Sequence, residues 1–297
     1  MLDLDAYLER IGHGGDRHPT LDTLRAIARG HTRAIPFENL DPVLRRPVRL
    51  DAPSLERKLV REGRGGYCFE HNLLLRHVLE ALGYRTTGLA ARVLWNQPEG
   101  RVNPRSHMLL RVEVEGASYV VDTGFGGQTL TAPLRLEPDV AQATPHGPFR
   151  LRGADGWLVL EAEVRGAWAA LYRFDLTPQE QADYEVTSWY LTHHPDSHFL
   201  NTLVAARTDD DRRYALRGNE LAVHHLGGDT ERRTLGSADE LRAALETIFL
   251  LRLPDDPRLD DALTRVASGA ATQPVPAAPP ARQPGLPMRP PSRIILP

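Results

Sequence analysis

The feature that most narrows the fold of this chain is a hydrophobic period that changes twice, in blocks, along the sequence. Residues 1–85 read as helical: Leu21, Leu24, Ile27 and Ala28 recur at helical spacing behind Thr20, whose side chain can cap the first turn. A second helix is predicted over 68–82, with Leu74, Leu75, Val78, Leu79 and Leu82 in one stripe, Gly65-Gly66 ahead of it and Gly83 as its stop. From 86 to 190 the period becomes two. Runs at 108–114, 119–122, 157–163 and 168–174, separated by Gly and Pro, predict an antiparallel sheet that curls or closes. Beyond 191, strand-like runs at 203–208, 213–216 and 221–226 mix with one helix whose Ser237 and Glu240 have capping-box spacing. Helices, then sheet, then a small mixed unit argue for an α+β fold rather than an alternating α/β one. The expected parts are 1–85, 86–190 and 191–270, followed by a tail over 271–297 too rich in Pro and Ala to pack a core and expected to be mobile. No internal repeat is visible.

Composition then limits the function. A chain of 297 residues can bury a sizeable core. Its 36 Lys+Arg against 39 Asp+Glu create no global field to gather nucleic acid or an anionic membrane, so small molecules are the expected partners, and a homo-oligomer is left open. Met1-Leu2-Asp3-Leu4-Asp5 carries acids where a secretory signal is basic, and no apolar stretch of about 18 residues follows, so a cytoplasmic location is expected. One cysteine makes neither an intramolecular disulfide nor a multi-cysteine metal site. The pairs His193-His194 and His224-His225 alternate faces if they lie on strands, and neither has the four-residue spacing of a zinc motif; no metal is assigned.

A lone cysteine is more often a buried apolar residue than a nucleophile. Cys68 differs by its place at the start of a predicted helix, directly after Arg64-Gly65-Gly66-Tyr67, where unpaired N–H groups and the positive end of the helix dipole favour a thiolate. The same groups can serve an oxyanion. A partner pair follows from register. If Glu115-Gly116 is a two-residue hairpin turn, Val114 pairs with Ala117 and Asp122 falls opposite Leu109, on the face that Leu109 shares with His107. The two side chains are then diagonal neighbours, the carboxylate fixing the imidazole tautomer and leaving the other nitrogen for a thiol. A slip of one residue would separate them. Gly124-Phe125-Gly126-Gly127 lets backbone approach a phosphate or carbonyl closely, but it lacks the lysine of a P-loop and reads more readily as a tight turn leaving a strand.

Ile35-Pro36-Phe37-Glu38-Asn39-Leu40-Asp41, the run from Arg64 to Asn72, His107-Met108-Leu109-Leu110 and the run from Asp122 to Gly127 together make the chain resemble the arylamine N-acetyltransferase family over nearly all of residues 1–265. The resemblance implies a helical bundle, a central antiparallel β-barrel and a C-terminal α/β lid, with a cysteine-protease-like triad of Cys68, His107 and Asp122. It implies acetyl-CoA as acyl donor and an aromatic amine, hydrazine or arylhydroxylamine as acceptor. By the same likeness Arg64 and Glu38 form an ion pair beneath the nucleophile, Phe37, Phe69 and Phe125 wall the acceptor pocket, and Gly126, Gly127 and Thr129 lie close to the coenzyme. Thr123 stands where the family often has Val, a departure that leaves the triad residues unchanged. An amide synthase of the same family, which cyclises a carrier-bound polyketide, and a cysteine hydrolase are the alternatives.

Overall fold

The computed structural model describes residues 2–98 and 100–269; the proline-rich tail lies outside the described residues. The first part contains α1 (Leu4–Arg10), α2 (Leu21–Ala34), the two-residue strand β1 (Phe37–Glu38), α3 (Leu40–Val43), α4 (Ala52–Leu55, running into a π-helical turn Glu56–Arg61) and α5 (Cys68–Ala81). Local chemistry starts these helices: the Asp3 carboxylate accepts from Ala6 N–H at 3.0 Å, and Thr20 Oγ1 from Thr23 N–H at 3.2 Å. Helix α5 ends with Gly83 at φ 90°, as its sequence predicts.

The second part is an antiparallel sheet of β2 (Arg85–Val93), β3 (His107–Val114), β4 (Ala117–Val121), β5 (Leu134–Arg135), β6 (Ala141–Thr144), β7 (Gly147–Ala154), β8 (Trp157–Val164) and β9 (Ala167–Phe174), in the order β5-β4-β3-β2-β9-β8-β7-β6. Its two edges nearly close on each other: Gln142 Oε1 accepts from Arg135 N–H at 2.7 Å and its Nε2 donates to Arg135 O at 2.9 Å, so one side-chain amide takes the place of a backbone rung. The inside of this barrel holds Leu89, Leu109, Val120, Leu151, Leu160 and Phe174. Alternate residues of β3, Met108, Leu110 and Val112, face the other way and pack with Leu74, Leu75 and Val78 of α5, which fixes the helix against the barrel wall.

The third part contains α6 (Gln181–His193), α7 (His198–Asn201), β10 (Val204–Thr208), β11 (Arg212–Arg217), β12 (Glu220–His225), β13 (Thr230–Thr234), α8 (Ala238–Thr247) and α9 (Leu259–Ala267). The sheet runs β1-β10-β11-β12-β13, and Leu241, Leu245, Phe249 and Leu263 of the last two helices and their connection cover it.

Two elements depart from the sequence reading. Residues 37–38, expected within a helical region, form a strand of the C-terminal sheet, Phe37 opposite Ala206 and Glu38 opposite Ala205. Residues 181–193, which cross the expected boundary at 190 and begin inside the stretch of period two, are helical. The buried side of α6 is Tyr184, Ser188, Leu191 and Thr192, a helical stripe in which only Leu191 lacks a hydroxyl, so hydrophobicity alone gives it little signal. His193 therefore closes a helix, and the alternating-face argument applies only to His224-His225 on β12.

Candidate active site

Cys68 is the first residue of α5 and is 4 % exposed. Its thiol points at the carbonyl of Ser106, 3.7 Å away, and it is close enough to the His107 ring to contribute to raising that ring's pKa. Two features carry the helix start to the barrel. Asn72, one turn after Cys68 on the same helix face, donates to Met108 O at 2.8 Å and to Asp122 Oδ1 at 3.0 Å, and accepts from Thr123 N–H at 3.1 Å. Gly124 lies against the helix itself: a Cβ there would stand 2.8 Å from Cys68 Cα, so only glycine lets the loop after Asp122 close onto the nucleophile's backbone.

The hairpin has the expected register, Val114 opposite Ala117 and Leu110 opposite Val121, turning through Glu115 and Gly116 at φ 51° and 76°. His107 Nε2–H consequently donates to Asp122 Oδ2 at 2.8 Å, leaving Nδ1 for the sulfur. Asp122 is fully buried and also accepts from Gly124 N–H at 2.9 Å and from Tyr172 O–H at 2.9 Å. Burial alone would raise its pKa, but the His107 charge and hydrogen bonds from His107, Asn72 and Gly124 hold it below the ordinary carboxylate range. For His107, burial pulls downward; the Asp122 carboxylate and Cys68 outweigh it and raise the ring to about 10. The ring is therefore an imidazolium at neutral pH. Burial and the Asp122 charge push the Tyr172 phenol well above its ordinary range, so it donates as a neutral group.

Beneath the nucleophile the expected Arg64–Glu38 pair is present, Nη2 to Oε1 at 2.7 Å and Nε to the same oxygen at 3.0 Å. It belongs to a larger buried network. Arg64 also reaches Asp41 at 3.1 Å, and Lys58 Nζ bridges Asp41 and Glu70 at 2.7 Å each. Glu70 Oε2 in turn accepts from Tyr67 N–H at 3.1 Å and so caps the helix that begins with Cys68. Burial raises Glu70 to about 7 against the pull of Lys58. Desolvation offsets much of the attraction in such a network, and its effect is to fix the turn 64–67 rather than to add much stability.

The three phenylalanines are placed differently from one another. Phe125 is half-buried and sets its edge on the His107 ring at 5.0 Å between centroids. Phe37 lies on the Gly126 side, a Cβ on that glycine falling 3.7 Å from its ring, and contacts His71 and Phe199. Phe69 is 1 % exposed and packs between Tyr67 and Tyr184, inside the helical core. Of the residues expected near a coenzyme, Gly127 lines a cleft of about 1220 Å³ that runs between the barrel rim and the C-terminal sheet. Gly126 begins the short 3-10 turn Gly126–Gln128 and is buried. Thr129 is buried as well, its hydroxyl donating to Asp122 O at 3.0 Å and accepting from Phe125 N–H at 3.3 Å, so it ties the loop instead of facing the cleft.

Asn72 and Tyr172 received no role from the sequence. Asn72 had a signal, its one-turn spacing from Cys68. Tyr172 had none: it reaches Asp122 because β9 lies beside β2, where Ala91, small and on the same face between His107 and Phe174, leaves room for the Tyr172 and His107 rings to meet at 4.9 Å.

The chain matches the N-acetyltransferase family over residues 20–257. It is 48 % identical to an arylamine N-acetyltransferase of Mycolicibacterium smegmatis over 86 % of this chain and 94 % of that one, and 41 % identical to an arylamine N-acetyltransferase of Escherichia coli over 85 % and 90 %. A solved structure of the Mycobacterium smegmatis enzyme superimposes with a TM-score of 0.87 at 45 % identity, covering 90 % of this chain and all of that one. A Mycobacterium marinum arylamine N-acetyltransferase in complex with CoA gives 0.85 at 44 % identity over 89 % and 99 %. No helix among the described residues is long and apolar enough to cross a membrane. With the matched family spanning most of the chain and these relatives covering nearly their whole lengths, the chain is an acyltransferase of the arylamine N-acetyltransferase family.

Proposed function

We propose that this enzyme transfers acetyl from acetyl-CoA to arylamines, hydrazines or arylhydroxylamines through an acetyl-Cys68 intermediate. The observation that carries the reading is the single imidazole of His107, hydrogen-bonded to the Asp122 carboxylate and raised in pKa by both Asp122 and the neighbouring Cys68. His107 holds the proton drawn from Cys68 as the sulfur attacks the thioester carbonyl. The carbon–sulfur bond to the coenzyme breaks, and the imidazolium returns its proton to the departing thiolate. In the second half the amine attacks the acetyl-cysteine, His107 takes the amine proton, and Cys68 leaves as thiolate. Phe125 and Phe37 suit the walls of a flat acceptor's pocket, whereas Phe69 packs in the core between Tyr67 and Tyr184. The relative bound to CoA supports the donor, and so does the cleft at Gly127 and Gln128, where Arg45, Arg165, Arg217, Arg232 and Arg265 supply positive charge suited to its phosphates.

Intact mass spectrometry after acetyl-CoA alone tests the reading. One acetyl on the wild type, none on Cys68→Ala, and its removal by an arylamine with formation of the amide are expected. Loss of the label to water without an acceptor points to a hydrolase, and absence of labelling by free acetyl-CoA points to an amide synthase served by a carrier. Turnover by Cys68→Ala ends the mechanism.

A further inference from the structure

Arg213 on β11 is 4 % exposed, and its side chain reaches behind the 3-10 turn that lines the cleft: Nη1 donates to Thr129 O at 3.0 Å and to Gly127 O at 3.3 Å. No carboxylate lies within ion-pair distance of it among the described residues, and its buried Nη2 has no hydrogen-bond partner. A buried guanidinium without a counter-charge is costly, and a purely structural clamp on two carbonyls could be built without one. Its strand face explains where the charge acts. Arg213, Ala215 and Arg217 point the same way along β11, and Ala215, Arg217 and the cross-strand neighbour His224 all line the cleft. Arg213 is the buried member of that row, set behind the cleft wall and bonded to Gly127 O. Burial, with Arg213 adding to it, holds His146 down at about 4, and burial with Arg232, Arg165 and Arg213 lowers His224. Burial alone brings Arg213 itself down to about 10.

We propose that Arg213 is a positioning residue for an anionic acyl donor, holding the Gly126–Gln128 turn by its carbonyls while leaving an unneutralised positive charge directly behind it to draw the donor's phosphates into the inner end of the cleft. This rests on the acyl-transfer reading above and deepens it, since it assigns to one buried side chain the preference for a phosphate-bearing thioester over a neutral one.

The test compares acetylation of Cys68 by acetyl-CoA with that by S-acetylpantetheine, which carries the same thioester arm without phosphate. Arg213→Gln keeps an N–H for one of the two carbonyls and removes the charge. The expected result is a rise of at least about tenfold in KM for acetyl-CoA with little change in kcat, and an acetylpantetheine reaction within about twofold of the wild type. Arg213→Lys, which keeps the charge, should retain the wild-type preference for acetyl-CoA to within about threefold. Equal losses for both donors in Arg213→Gln would reduce Arg213 to support of the turn and overturn the inference, as would an Arg213→Lys protein that loses the preference. The lysine variant decides the matter alone if the glutamine variant does not fold. Wild-type protein labelled equally well by both donors sinks this inference only; wild-type protein labelled by neither sinks the acyl-transfer reading and this inference with it.

Discussion

Asp122 shows how much a single buried carboxylate can organise. It accepts from His107, Asn72, Gly124 and Tyr172, so each of its oxygens is held from two sides, and its charge keeps the neighbouring imidazole protonated. Asp122→Asn retains the shape and removes the charge. Burial then dominates His107 and the ring becomes neutral, so acetylation of Cys68 at neutral pH should fall by about 10³- to 10⁴-fold, as when a triad aspartate loses its charge elsewhere. A variant acylated at the wild-type rate would contradict this. Stability carries the same signature. The folded ring titrates near 10 and the unfolded one near its ordinary 6.5, so the contribution of the pair is complete below about pH 6.5 and is lost as pH rises through about 10. Urea midpoints measured across that window should decline for the wild type and stay flatter for Asp122→Asn.

Among the elements, the β3–β4 hairpin sets the register on which the site depends, yet its turn begins with glutamate at φ 51°, an unfavourable conformation for a residue with a Cβ. The side chain accounts for the choice: Glu115 Oε1 accepts from Leu21 N–H at 2.9 Å and satisfies an open donor in the first turn of α2. Alanine pays the same backbone strain without that bond. Glu115→Ala should therefore lower stability by about 1 kcal/mol in urea unfolding, and an unchanged midpoint would show the bond to be inconsequential. The glycine turn before α5 is bound as tightly. A Cβ on Gly65 would lie 2.0 Å from Pro36 O, so the strand β1 and the nucleophile's turn can approach only where that side chain is absent.

At the scale of the whole molecule, β1 and the residue after it tie the C-terminal sheet to the ground beneath Cys68. Asn39 is fully buried; its Nδ2 donates to Phe199 O at 3.0 Å and Thr202 O at 2.8 Å, and its Oδ1 accepts from Val204 N–H at 2.7 Å. Asn39→Ala would strand three backbone groups and cost about 2–4 kcal/mol. Limited proteolysis should then cut the region 199–204 sooner than in the wild type, and equal cleavage rates would show the tie to be dispensable. The sequence by itself determined the block order of the fold, the caps of α2 and α8, and the pairing of His107 with Asp122, because periodicity, capping and hairpin register are local rules read over a few residues. The motif around Cys68 also contained Asn72 at helical spacing. Only the tertiary structure decided that β1 belongs to the distant sheet, that Tyr172 completes the hold on Asp122, that Arg64 and Glu38 sit within a network with Asp41, Lys58 and Glu70, and that Arg213 lies behind Gly127. Those contacts join residues far apart in the chain, and they depend on which strand lies beside which and on which side chains lose water together, quantities that no local pattern encodes.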